Sequence, residues 1–484
     1  MSDEFQNFRN NNVMTFIKYI PKRGRTVPTR WVFTKKYDEN ENLVKHKARL
    51  VIKEYSQKYG VDYFLTFSPT LNFDSLRLII SIAANNNWEA YQMDIKSAYL
   101  NADLDTEIYT TIPEGDPQYG KGYWKLNKAV YGLKQAGRQW YLEISNFLKQ
   151  IKMKQLISDQ CIFTLYNKRN NLCCILGLYV DDMVITGTRS AMNYIIKNIE
   201  NKYKISKKEK LNYILGISIH KYNDGYIMNQ KKYICETLRK FKITNIRKSK
   251  TPTLIISDMD KDNRPFDKLQ YQSAIGSLIY IAKSTRPDIS FSVSKAASFN
   301  EKPTVSNWKQ VLQIFKYLNQ TINYFNNSNE IIGYSDADYA GDKTDRKSYS
   351  GSIFTIGTGI ICWESKKQSC TALSTAEAEY VALSNCLKKG LWLRNILKEI
   401  YNKYMTLNIK VDNMACLHAI QNEQITNKLK HIDLRLHFFR EHVKNNEFNI
   451  NYISTNEMLA DILTKYYNGN QISKLSNKLF INNE

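Results

Sequence analysis

Two adjacent aspartates inside an apolar run constrain this chain more than any other feature. The segment GLYVDDMVIT sets Asp181 and Asp182 between core-type residues on both sides. Its pattern predicts two short strands, Leu172–Val180 and Met183–Gly187, with the aspartate pair as the turn between them. A carboxylate held against apolar surface is costly unless it is hydrogen-bonded or metal-bound. Asp-Asp turns are common in ordinary hairpins, so a second observation is needed, and Asp94 supplies it. In YQMDIKSAYL it ends another apolar strand, Trp88–Ile95. Two neighbouring strands can then present three carboxylates at one sheet edge, a hard oxygen site suited to two Mg²⁺ ions. Such a pair, about 3.5–4 Å apart, clamps the attacking and leaving oxygens of an in-line phosphoryl displacement.

The surroundings fit a chain that handles polyanions. The segment Arg30–Tyr55 reads as a hairpin, WVFTKKY and ARLVIKEY around a polar turn at Asp38–Asn42, with Lys35, Lys36, Lys45, Lys47 and Arg49 on its strands. Over the whole chain 69 basic residues face 46 acidic ones, a formal balance of +23. Basic groups that neutralise phosphates release condensed counterions, although such an excess also describes a solvated surface. No apolar run approaches the eighteen or so residues of a membrane span, and MSDEFQNFRN lacks the apolar stretch of a secretory signal. The eight cysteines contain no C-x-x-C pair, which argues against a zinc knuckle and a disulfide framework and places the chain in a reducing, intracellular compartment.

Helical spacing predicts helices over Ser75–Ala84, from Arg138 through Trp140, Ile144, Phe147, Leu148 and Ile151, and over Gln230–Phe241, Tyr271–Ala282 and Asn307–Leu318. Leu211–His220 reads as one strand, and the polar, Pro-containing stretch Ile246–Leu269 as a linker. A new domain opens with the strand Glu330–Ser335, and in it the acidic pattern recurs. Asp336 ends that strand in GYSDADYAG. Glu379 lies in STAEAEYVAL, with Glu377 two residues away. Asp412 ends LNIKVD and opens a helix, and Asp461 lies on the predicted helix MLADILTK. Asp412 alone could be a helix cap. On a helix Glu377 and Glu379 point about 200° apart, so only one can face a common site.

These motifs occur together. D-x-x-x-A-Y, YGLKQAGRQW and Y-V-D-D resemble motifs A, B and C of copia-type reverse transcriptases, flanked by RWVFTKKYD, KARLV, FSPTL and LNYILGISI in the family's order. SDADYAG, SKKQ, STAEAEY, VDN, KHID and ADILTK resemble the copia form of RNase H across Ile331–Lys465, and YQSAIGSLIYIAKSTRPDISFSV resembles the region between the two. The resemblance implies an α/β (α+β) chain: a right-hand polymerase with fingers and palm over 1–228, a helical thumb and connection over 229–327, an RNase H-like mixed-sheet domain over 328–467, and a tail over 468–484.

It also implies roles. Asp94, Asp181 and, less directly, Asp182 would hold Mg²⁺ (or Mn²⁺) for DNA synthesis, and Asp336, Glu379, Asp412 and Asp461 would hold it for cleavage of the RNA strand of a hybrid. Tyr99 would be the steric gate against ribonucleotides. Lys47 and Arg49 would grip the triphosphate, which of the two remaining open. Gly132 and Lys134 would line the nascent base pair, and Leu215 and Gly216 the primer grip. The implied partners are an RNA template, a DNA primer, RNA–DNA hybrid and dNTPs, with no membrane, in a cytoplasmic virus-like particle or the nucleus. Gly137 stands where proline is usual, Ala102 where glycine is usual, and Lys207–Lys210 replaces K-D-L-G. No D-[ST]-G protease signature or zinc-binding integrase pattern is visible, which reads as a processed product, a truncated frame or a fragment of a Pol polyprotein. The competing reading is a decayed or domesticated remnant that binds nucleic acid without catalysis.

Overall fold

A computed structural model describes the chain except for residues 23, 38–42, 224, 244–246, 255–261, 319–321, 325–329, 422–432 and 481–484. It is a mixed α/β structure of helices and several sheets that divides into two compact units. The first comprises Met1–Leu71, Tyr91–Leu156 and Gln160–Glu209. The second comprises Asn72–Ala90, Ile157–Asp159 and Lys210–Glu484.

The first unit is built on a six-stranded sheet in the order Ile205–Lys210, Glu89–Ile95, Asp182–Gly187, Leu172–Tyr179, Ile162–Tyr166, Lys154–Gln155. The central hairpin is apolar and buried from Cys174 to Leu178 and from Met183 to Ile185, as its composition predicts. Its turn differs from expectation. Asp182 pairs with Tyr179 and so opens the second strand, leaving Val180 and Asp181 as the two-residue turn. Only Val180 of these two has positive φ, +57°, at a position where such turns prefer glycine. The helix Ala136–Gln150 buries Trp140, Ile144, Phe147 and Leu148, the face its spacing predicts. The basic hairpin pairs Thr29–Tyr37 with Leu43–Ile52, setting Lys47 opposite Thr34 and Arg49 opposite Val32. Its expected turn at Asp38–Asn42 lies outside the described residues.

The second unit contains a five-stranded sheet in the order Gly359–Lys367, Tyr349–Ile356, Ile331–Ala337, Leu407–Val411, Phe448–Tyr452. The first three strands are antiparallel and the last two join in parallel. The helix Thr375–Tyr401, capped by Ser374 accepting from Glu377 N, packs on the two strands Ile331–Ala337 and Tyr349–Ile356. Two expectations need correction. Leu211–His220 is not one strand but Tyr213–Ile214 and Ile217–Tyr222, because Leu215 and Gly216 take φ of +50° and +69° and reverse the chain. Asp461 sits on a five-residue 3₁₀ turn, Leu459–Leu463, where i→i+3 bonding suits so short a piece better than an α-helix. Of KHID, residues 430–432 lie outside the described residues, and Asp433 opens the helix Asp433–Lys444.

Arg77, on the helix Phe73–Asn85, is buried at 1% exposure within the second unit. Its guanidinium donates to Ile361 O at 2.6 Å, Ser284 O at 2.7 Å and Lys283 O at 2.9 Å, and pairs with Asp74. Asp74 in turn pairs with Lys389, and the guanidinium lies 3.9 Å from the Trp363 ring centroid. A buried charge satisfied on every side ties the helix to the strand Gly359–Lys367 of the five-stranded sheet; stripping such a partner costs roughly 3–5 kcal/mol.

Candidate active sites

In the first unit Asp94 and Asp182 stand on adjacent strands and Asp181 in the turn. Ile95 N donates to Asp181 O at 3.1 Å, which holds the end of the Asp94 strand to the turn. All three carboxylates are half-buried. Burial, followed by the charges of Asp181 and Asp94, pushes the Asp182 carboxyl up to about 6. Burial and the Asp94 charge also raise Asp181, against the pull of Arg49 and Lys47. The three acids therefore share one electrostatic environment, and it is one that a cation would relieve.

A β-branched residue in the left-handed region costs roughly 1–2 kcal/mol. Val180 bears that cost because the buried Trp140 indole donates to its carbonyl at 2.7 Å. Sequence reading placed Trp140 in the core, which it occupies, and missed that its N–H pins the aspartate turn. Tyr99 lies beside the acids, its phenol raised by burial and by Asp181. Its ring is 5.0 Å from that of Tyr131, over which Arg49 sits at 5.7 Å. Tyr131, likewise missed, is pushed to about 12 by burial and the Asp181 charge. Lys47 and Arg49 both act on Asp181 and on Glu4, so both face the site. Gly132 has φ +90° and lies so close to Ile52 O that any Cβ would clash. Lys134 N donates to Gln57 Oε1 at 2.8 Å and its Nζ reaches Tyr63 OH at 3.3 Å. Leu215 and Gly216 belong to the second unit, where Tyr280 OH donates to Leu215 O.

The second unit gathers a tighter cluster. Ligand oxygens of Asp336, Glu379 and Asp412 all lie within 4.8 Å of one another, and among the described residues this is the one such group of three. The first-unit trio does not close to that spacing. Asp336 is fully buried and Glu379 nearly so. Burial, then the Asp461 charge, lifts Asp336 to about 7, and burial with Asp336 and Asp412 raises Glu379 well above the carboxylate range. Glu379, not Glu377, faces the cluster; Glu377 instead accepts from Leu373 N at 2.6 Å. Asp412 is not the cap of its helix, because Asn413 accepts from Cys416 N at 3.0 Å while Asp412 accepts from Thr455 OH at 2.8 Å.

Asp461 joins through a cation already in the chain. Lys465 Nζ lies 2.6 Å from Asp461 Oδ1 and 3.2 Å from Asp336 Oδ1. Tyr467 OH donates to Asp461 Oδ2 at 2.7 Å, and Thr464 OH donates to Asp336 Oδ2. Burial pulls the Lys465 ammonium down, but the two carboxylates outweigh it and hold it above its ordinary value. These bracing groups were missed in the sequence, although the four-residue step from Asp461 to Lys465 was a usable signal. Hard oxygen donors, crowded and desolvated, fit a divalent metal ion.

The chain thus carries one group of carboxylates at a hairpin turn and another at the ends of two parallel neighbouring strands inside a mixed sheet, a class of arrangement suited to divalent metal ions. Comparison narrows the class: residues 11–255 match the reverse transcriptase (RNA-dependent DNA polymerase) family, and the chain belongs to it. It is similar to the retrovirus-related Pol polyprotein from transposon TNT 1-94 of Nicotiana tabacum, 36% identical over 96% of this chain and 36% of that protein. It is likewise similar to the retrovirus-related Pol polyprotein from transposon RE1 of Arabidopsis thaliana, at 33% over 94% of this chain and 32% of that one. A third relative is the truncated transposon Ty1-A Gag-Pol polyprotein of Saccharomyces cerevisiae, at 28% over 91% and 38%. The chain spans about a third of the length of these relatives. Among the described residues no helix is long and apolar enough to cross a membrane.

Proposed function

We propose that this chain is the polymerase and nuclease portion of a copia-type Pol polyprotein, copying RNA into DNA and cleaving the RNA strand of the hybrid. The observation that carries the reading is the pair of carboxylate clusters, one in each compact unit, in a chain of the reverse transcriptase family. The fingers and palm are assigned to 1–228, the thumb and connection to 229–327, the RNase H-like domain to 328–467 and the tail to 468–484. Divalent ions bound at each site, Mg²⁺ or Mn²⁺, would neutralise charge on the attacking and leaving oxygens.

At the first site Asp94 and Asp181 hold the cations, with Asp182 contributing charge from the neighbouring strand. Lys47 and Arg49 face Asp181 and are placed to bind the triphosphate. The Tyr99 ring, backed by Tyr131, excludes a ribose 2′-hydroxyl. Gly132 and Lys134 line the nascent base pair, and Leu215–Gly216 form a tight turn suited to the primer grip. At the second site Asp336, Glu379, Asp412 and Asp461 hold the cations, with Asp461 positioned by Lys465 and Tyr467. The 2′-hydroxyls of the hybrid, displayed in a wide minor groove, would supply selectivity for RNA. The reaction is placed inside the cell, in a virus-like particle or the nucleus.

The test is a homopolymer RNA with a DNA primer, dNTPs and Mg²⁺, and in parallel a labelled RNA–DNA hybrid. Primer extension and RNA cleavage by the same purified chain are expected. Absence of both sinks the reading and leaves a nucleic-acid-binding remnant.

A further inference from the structure

The second unit holds a cavity of about 350 Å³ that none of the clustered carboxylates lines. It is walled by the helices Lys268–Ser284, Ser290–Ala297 and Val305–Tyr317 and by the turn Gly341–Thr344. Small-molecule sites span roughly 300–1,000 Å³ and are mostly apolar with a few placed polar groups. This cavity has that size and that lining.

Three rings form its apolar wall: Tyr271, Phe299 and Tyr466. Tyr271 is buried, and its OH donates to Ala296 O at 2.9 Å, which fixes the ring. Tyr466 meets the Phe291 ring edge-on at 5.0 Å. Rings already held in place bind a flat apolar body with little further ordering cost.

Charge names the rest of the occupant. Most polar groups of the lining are spent on the protein itself. The Thr253 and Ser292 hydroxyls bond each other at 2.6 Å, and Gln310 donates to Pro252 O at 3.1 Å while accepting from Leu254 N at 3.2 Å. Asp342 pairs with Lys367 at 2.6 Å and accepts from Thr344 N at 2.9 Å. Lys295 differs. Its ammonium sits 4.8 Å over the Tyr466 ring and, among the described residues, forms no ion pair. Burial pulls it below its ordinary value, by more than the Asp342 and Asp338 charges hold it up. A desolvated ammonium facing an apolar space is stabilised by one anionic group, whereas a second charge on the ligand would be buried unpaired.

We propose that this cavity is a binding site for a small aromatic acid, whose carboxylate meets the Lys295 ammonium while its ring lies against Tyr271, Phe299 and Tyr466. The site goes beyond the proposed polymerase and nuclease and does not depend on either. Tyr466 stands between Lys465 and Tyr467, which brace Asp461, so the substitutions that test the cavity leave Tyr466 alone.

The test is calorimetric titration of the full chain with 1-naphthoate and with 1-naphthamide, its uncharged counterpart. Wild-type protein should bind one naphthoate, at least about tenfold more tightly than the amide. Lys295→Met keeps the apolar stem and removes the charge; it should erase that preference and still melt cooperatively. Phe299→Ser, at an exposed ring, should weaken both ligands and keep the preference between them. No binding of naphthoate at millimolar concentration overturns the site. A Lys295→Met protein that still prefers the acid overturns it too, as does displacement of naphthoate by an equal concentration of inorganic phosphate, which would mark a plain anion site. Binding is measured without turnover, so a chain that takes naphthoate but neither extends primers nor cleaves hybrid loses the enzymatic reading alone.

Discussion

The two carboxylate sites solve the same electrostatic problem at different depths. In the first, three half-buried acids are spread over two strands and a strained turn, and they do not close to a common 4.8 Å cluster. In the second, three acids do close to that distance, Asp336 and Glu379 are buried, and an internal ammonium braces the fourth. On the proposed reading the open site would admit a primer end, a template base and a triphosphate, which its spread acids and its neighbouring rings and basic groups suit. On the same reading the closed site would receive one phosphate of a duplex. Deeper burial, and after it the charge of neighbouring acids, raises its carboxyl groups further, to about 7 for Asp336 against about 6 for Asp182.

The largest expected effect breaks the comparison cleanly. Asp181→Asn should lower DNA synthesis on primed RNA by roughly 10²–10³-fold or more while hybrid cleavage is untouched, and Glu379→Gln should do the reverse. If either substitution silences both reactions, the sites are not independent. Next in size, Tyr99→Ala should admit ribonucleotides about tenfold or more readily with no change in cleavage, read as the ratio of kcat/KM for rNTP and dNTP. Unaltered discrimination would remove Tyr99 from the gate. Trp140→Phe keeps the packing but leaves the Val180 carbonyl without its donor. The cost of about 1–3 kcal/mol at the turn should slow synthesis around tenfold, again without effect on the nuclease.

The smallest effect reads the depth of the closed site. Asp336 and Glu379 titrate higher when folded than when unfolded, so the native state binds more protons between about pH 4, the unfolded carboxyl range, and about pH 7. Stability from these groups is present at the acidic end of that window and falls as pH rises through it. Metal-free protein should therefore show a Tm that declines by a few degrees from pH 5 to pH 7.5, and Mg²⁺ should restore it at the upper end. Asp336→Asn should flatten both responses. An equal Mg²⁺ effect in that variant would mean that the ion stabilises some other site.

Much of this was legible in the sequence, at the level of strands rather than sites. The runs before Asp94 and before Asp181, and the strand carrying Asp336, announce themselves by apolar composition, and the structure puts strands at Glu89–Ile95, Leu172–Tyr179 and Ile331–Ala337. Helical spacing likewise marked the buried face of Ala136–Gln150. The turn was misplaced by one residue because a valine with positive φ contradicts local preference, and the Trp140 hydrogen bond that holds its carbonyl comes from 40 residues away. The split of Leu211–His220 was missed because β-like composition does not reveal two successive left-handed residues.

What the sequence determined by itself is the set of acids, their order and their placement at strand ends or on helices, since these depend on periodicity over a few neighbours. Tertiary structure decided which acids converge, choosing Glu379 over Glu377 and freeing Asp412 from a capping role. It also decided that Lys465 would brace Asp461 and that Lys295 would rest over the Tyr466 ring in an apolar cavity. The physical reason is range. Strand and helix patterns are local, whereas burial, charge crowding and hydrogen-bond partners depend on residues far apart in the chain that only folding brings together.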